Sequence, residues 1–71
     1  MAIDQAEIDK RFTYHAPKGD QAARYQELRD AAKTLAELIV SKTPASREQS
    51  LALTSLEETC FWANASIARN E

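Results

Sequence analysis

Two runs of alternating three- and four-residue spacing leave this chain little choice of architecture. Tyr25, Leu28, Ala32, Leu35 and Ile39 recur at intervals of three, four, three and four, and Leu53, Leu56, Cys60, Ala63 and Ile67 repeat them. That rhythm gathers apolar groups on one side of an α-helix and on neither face of a strand. Between the runs lies KTPAS, residues 42–46, whose Pro44 does not fit a helix interior. Upstream, Pro17 and the only glycine, Gly19, close off the first run. The pattern predicts one helix over 20–42 and another over 46–69, each roughly 35 Å long at ~1.5 Å per residue. A connection this short makes them antiparallel neighbours. Asp20 is the expected N-cap of the first helix. For the second, Ser46 with Gln49 three residues on reads as a capping box, and Thr43 before Pro44 is a competing cap. Ile3, Ile8 and Phe12 place a short helix or arm ahead of the hairpin. The expected fold is all-α, one domain over residues 1–71, with 1–19 as an N-terminal arm and loop.

A lone hairpin cannot cover its own apolar surface. At 71 residues the chain has little interior to offer, and small folds compensate with disulfides, metals or self-association. Cys60 is the only cysteine, so no intrachain disulfide forms, and no Cys/His cluster points to zinc. At about 100° per residue, Leu51 and Trp62 fall nearly opposite the second helix's stripe, with Phe61 on the flank between. Trp62 either packs under its own N-terminal segment or meets another subunit. The segment is too short to cover two long helices, which favours the second subunit and a homo-oligomer.

Charge is unevenly spread. Residues 1–9 hold three acids and no base, residues 10–33 hold six bases against three acids, and residues 34–71 hold three bases against five acids. The net of −2 argues against binding DNA or RNA polymers, which calls for a basic surplus. The basic middle third is either a solvated helix face or an anion site. The start, MAIDQAEIDK, has acids where a signal peptide would be apolar, and no segment approaches the ~20 apolar residues of a membrane span. A soluble protein of a reducing cytosol is expected.

Catalytic patterns are missing. His15 has no nucleophile near it in sequence, Glu57 and Glu58 diverge around a helix, and one glycine cannot build a phosphate loop. Cys60 sits on the core stripe, where a thiol is inert. No metal or cofactor is expected. Binding chemistry concentrates in RFTYHAPKGD, residues 11–20. Tyr14 offers a flat face for a base, His15 stacks or donates, Pro17 stiffens the loop, and Lys18 adds a cation. Arg29 and Lys33 lie four apart on one helical face, one turn beyond Tyr25. Aromatic faces beside cations suit a ligand that carries both bases and phosphates.

The wording itself then becomes informative. FTYHAPKGDQ, RYQELRDAAKTLA and SREQSLALTSLEETCFWANASIARNE resemble the small phage proteins of the anti-CBASS and anti-Thoeris cyclic-nucleotide sponge family, nearly throughout the chain from Phe12 onward. The resemblance implies helical hairpins assembled as hexamers. Such proteins hold cyclic oligonucleotide second messengers of bacterial defence without cleaving them, so that effectors stay inactive. With no insertion between its helices, this chain looks like the short, anti-CBASS branch, associated with cyclic dinucleotides and, at separate sites, cyclic trinucleotides. A longer branch is associated with the cyclic ADP-ribose-type Thoeris signal.

By the same resemblance, Tyr14 stacks on a ligand base and Arg29 meets that ligand from a neighbouring subunit. His15 and Lys18 are loop residues beside this dinucleotide site. Lysine is frequent where Arg29 stands; arginine keeps charge and adds stacking. Arg69 and Asn70 of IARN match the trinucleotide region, with Arg47 a further phosphate contact there. The Cys60–Phe61 pair before WANA departs from the pattern, in packing more than in chemistry. The implied place of action is the host bacterial cytoplasm. Two other readings remain: an interaction module docking on a host protein through Trp62 and Leu51, and a phosphodiesterase using His15 as acid or base.

Overall fold

Asp4 starts the first helix by accepting the Glu7 amide on its carboxylate at 2.9 Å. The structure, a computed structural model, describes residues 2–71. Its three helices are α1 (Gln5–Phe12), α2 (Gln21–Lys42) and α3 (Arg47–Asn70), with no strand among the described residues. α2 and α3 pack against each other as the expected hairpin, and α1 leads it as a short separate helix. Ile8 and Phe12 fall in α1, the short leading helix expected from the sequence, and Arg11, grouped there with the loop, belongs to α1 as well.

The hairpin's connection is held by its polar residues. Thr43 stays with α2, donating its amide and its hydroxyl to the Ile39 carbonyl at 3.1 and 2.7 Å. Ser46 is therefore the cap of α3, accepting the Gln49 amide at 3.1 Å. The expected capping box forms only by half. Gln49 sends its side chain across the turn to the Thr43 carbonyl and hydroxyl, at 3.1 and 3.0 Å, instead of back to Ser46. That amide bolts the start of α3 to the end of α2, where it also reaches the Val40 carbonyl at 3.5 Å.

The seam follows the spacing closely, with one shift. Tyr25, Leu28, Ala32 and Ile39 of α2 are half-buried, and so are Leu53, Leu56, Cys60, Ala63 and Ile67 of α3. Leu35 is 45 % exposed, and Ala36 takes its place in the seam. Where the helices approach, the smaller side chain sits between them and the larger one turns outward.

The molecule measures 46 × 32 × 15 Å, so its thin dimension is little more than one ~10–12 Å helix diameter. No helix in such a layer can be covered on both sides. No hydrophobic side chain is fully buried among the described residues, and Phe12, Tyr14, Leu38, Val40, Leu51, Phe61 and Trp62 are exposed. Trp62 remains 65 % exposed, so α1 does not cover it. One alternative from the sequence, an indole packed under its own N-terminal segment, is set aside.

Candidate functional site

The loop between α1 and α2 runs from Thr13 to Asp20 and is tethered near each end. His15 donates from Nε2 to the Lys10 carbonyl at 2.8 Å, closing the C-terminus of α1. The imidazole is half-buried by this contact, leaving Nδ1 as its other polar edge. At the far end, Lys18 and Gln21 exchange bonds: the Lys18 amide donates to Gln21 Oε1, and the Gln21 amide donates to the Lys18 carbonyl, both at 3.1 Å. Gly19 makes this turn with φ +57°, in the left-handed region that other L-residues adopt only at a cost. Immediately ahead of the His15 tether, Tyr14 stands 82 % exposed. The expected stacking face is available and touches little of its own chain.

Asp20 occupies the N-cap position of α2 but does not cap it with its side chain. Its carboxylate instead pairs with Arg24 one turn later, at 3.2 Å. The guanidinium offers charge-assisted bonds that a lone amide does not match. Sequence reasoning missed this because cap preference and ion pairing compete for the same carboxylate.

Arg29 lies on α2 in an elongated groove of about 530 Å³ between the two long helices. Lys33 joins it, with Thr54, Glu57, Phe61 and Asn64 on the α3 side. Tyr14, His15 and Lys18 do not line this groove. One chain thus holds the two halves of the expected dinucleotide site apart. A second groove, of about 480 Å³, runs between α1 and the last turns of α3. It brings Arg69 and Asn70 together, beside Trp62, and adds Lys10, Arg11 and Glu7 from α1. Asn70 donates its side-chain amide to the Ser66 carbonyl at 3.0 Å, which holds it against the helix. Arg47 is not part of this groove; it begins α3, roughly 33 Å from Arg69 along a helix rising ~1.5 Å per residue. Lys10 and Arg11 escaped the sequence reading as site residues. Trp62 and Arg69 are seven apart and visibly share a face, but nothing in the spacing says that α1 lies along it.

Which cations are paired separates structure from site. Among the described residues, Arg11 pairs with Glu7 at 2.9 Å and Arg24 pairs with Asp20 and Glu71. Lys18, Arg29, Lys33, Arg47 and Arg69 have no ion pair with any other described residue. Arg24 grips Glu71 through both carboxylate oxygens, 47 residues apart. This grip, together with a bond from Gln21, holds the Glu71 carboxyl down at about 2 and raises the Arg24 pKa further. Arg24 is a structural cation.

Among the described residues no cluster of His, Cys, Asp and Glu could hold a metal ion. Cys60 is a free, half-buried thiol beside Asn64. No helix is long and apolar enough to cross a membrane. The structure is thus an open helical hairpin with exposed aromatic side chains and, among the described residues, several cations that have no ion pair. The chain matches the family described as Acb2/Tad1, hairpin domain, over residues 4–68, and belongs to it. This is the family of phage anti-CBASS and anti-Thoeris cyclic-nucleotide sponges, which bind their ligands without catalysis. No curated protein and no solved structure matches the chain.

Proposed function

We propose that this chain is a phage counter-defence protein that sequesters cyclic oligonucleotide second messengers in the host bacterial cytoplasm and so blocks CBASS immunity. Membership of the sponge family carries the reading. Cyclic dinucleotides are its first ligands, cyclic trinucleotides its second, and a homohexamer its working form. The dinucleotide site combines Tyr14, His15 and Lys18 of one subunit with Arg29 of a neighbour. The separation of the loop from the Arg29 groove within one chain supports a site completed by a second subunit.

The trinucleotide site is Arg69 and Asn70, with Lys10 from α1. Arg11 offsets Glu7 in this groove, which leaves Lys10 and Arg69 to supply the positive charge that a phosphate ring needs. Arg47 reaches such a ligand only from another subunit, given its place at the opposite end of α3. Neither site requires chemistry on the ligand: the donors are fixed, and the aromatic faces stack.

The test is a capture and release assay with 3′,3′-cyclic GMP–AMP and a cyclic trinucleotide. The protein is incubated with each, filtered, and then heat-denatured. A sponge depletes the filtrate and returns intact ligand on heating. Linear product would identify a phosphodiesterase, and no depletion would leave a module that docks on a host protein through Trp62 and Leu51.

A further inference from the structure

Gln21 is the most buried residue among those described, at 3 % exposure, and no hydrophobic side chain among them is fully buried. That placement is unusual, because a buried amide needs partners for all its polar atoms. Gln21 finds them in two directions. Its Oε1 accepts the Lys18 amide at 3.1 Å, and its Nε2 donates to Glu71 Oε1 at 3.4 Å. Glu71 is in turn gripped by both terminal nitrogens of Arg24. Among the described residues, the Lys18 amide is the one backbone N–H between Tyr14 and Lys18 with a hydrogen-bond partner. The loop's path into α2 is therefore set by a side chain whose orientation is set by Glu71.

We infer that Glu71 is a positioning residue for the dinucleotide site, acting through Gln21 to fix the loop that carries Tyr14 and Lys18. The inference rests on the assignment of that loop to the ligand. Arg24 completes the unit by holding the Glu71 carboxylate, and Asp20 pairs at 3.2 Å with the same terminal nitrogen of Arg24 that meets Glu71. The carboxylate stays ionised throughout the working pH range, since its pKa is held at about 2. Glu71 also follows Arg69 and Asn70 directly, so one clasp ties the loop to the end of α3 where the second groove opens.

Isothermal titration of the full assembly with 3′,3′-cyclic GMP–AMP tests this, alongside proton exchange of the Lys18 amide by NMR. Glu71→Ala and Arg24→Ala should each weaken binding about ten-fold, the scale of one charge-assisted hydrogen bond. The double variant should be no worse than either single one, because the two residues act as a unit. Glu71→Gln, which keeps an acceptor for the Gln21 amide, should recover part of the loss. Exchange of the Lys18 amide should quicken in Glu71→Ala and return towards the wild-type rate in Glu71→Gln. A residue that only stabilised the fold would lower the melting point without moving that amide. Unchanged Lys18 exchange in Glu71→Ala, or wild-type affinity in Glu71→Ala where Tyr14→Ala binds weakly, would overturn the positioning role. Wild-type affinity in Tyr14→Ala would instead remove the loop from the ligand site, and the positioning role with it.

Discussion

Trp62→Ala should loosen assembly more than any other single truncation on the outer face of α3. In the isolated chain the indole is 65 % exposed. A tryptophan presents up to ~250 Å², so roughly 160 Å² remains for a partner to cover. At ~25 cal/mol per Å² this is about 4 kcal/mol per subunit, of which alanine would retain only the methyl share. The expected loss of ~3–4 kcal/mol is a factor of about 10² to 10³ in each subunit contact. Since no hydrophobic side chain among the described residues is completely buried within one chain, dissociation and unfolding should coincide, and the thermal midpoint should rise with protein concentration. Sedimentation over a dilution series measures the first quantity and circular dichroism the second. Trp62 is the only tryptophan, so its emission reports the interface directly: blue-shifted when assembled, red-shifted on dilution. Coincident dilution curves for wild type and Trp62→Ala would refute the argument, as would a wild-type midpoint that ignores concentration.

Tyr14→Ala should lower dinucleotide affinity ~10- to 100-fold by calorimetry, the worth of about 1–3 kcal/mol for a lost stacking face. Arg29→Ala should cost a similar factor, and refolding the two variants together should restore part of the capacity, because each supplies what the other lacks. Arg69→Ala should spare dinucleotide capture and weaken trinucleotide capture in the filtration assay. Glu71 predicts a pH dependence: its carboxyl is lowered from 4.5 to about 2, so its contribution is complete above pH 4.5 and fades as pH falls through 2. Melting Glu71→Gln beside wild type should show a gap at neutral pH that closes between those values.

Much of this architecture was legible because few residues decide it. The three-and-four spacing of α2 and α3, with Pro44 and the Pro17–Gly19 pair as breaks, marks two helices and their antiparallel relation. Angular position alone foretold that Leu51 and Trp62 would face outward. The failures share a cause: each depends on a partner that spacing does not identify. Leu35 fitted the stripe as well as Ala36 did, and only the approach of α3 selects the smaller residue. Asp20 fitted a cap, but Arg24 one turn later drew its carboxylate away. Gln49 fitted a capping box, yet the free carbonyls at the end of α2 offered it better acceptors. The Glu71–Arg24 pair spans 47 positions and leaves no local trace. Likewise the grouping of Lys10 and Arg11 with Arg69 follows from the direction in which α1 leaves the loop.

The lack of an interior bears on function as well as on stability. A hairpin with a complete core would gain little from a second copy, and its ligand contacts would have to lie on one chain. Here apolar faces are left open, and the loop residues Tyr14, His15 and Lys18 do not line the Arg29 groove of their own chain. If assembly completes the dinucleotide site, ligand and assembly are linked in both directions. A signal bound only by the assembled form stabilises it by about 2.7 kcal/mol at a hundred-fold excess over Kd, by mass action alone. That linkage suits sequestration, which needs slow release and no turnover. It also separates the roles of the cations. Arg24, held by Asp20 and Glu71, shapes the fold, while Arg29 and Arg69, with no ion pair to any other described residue, remain available to a phosphate.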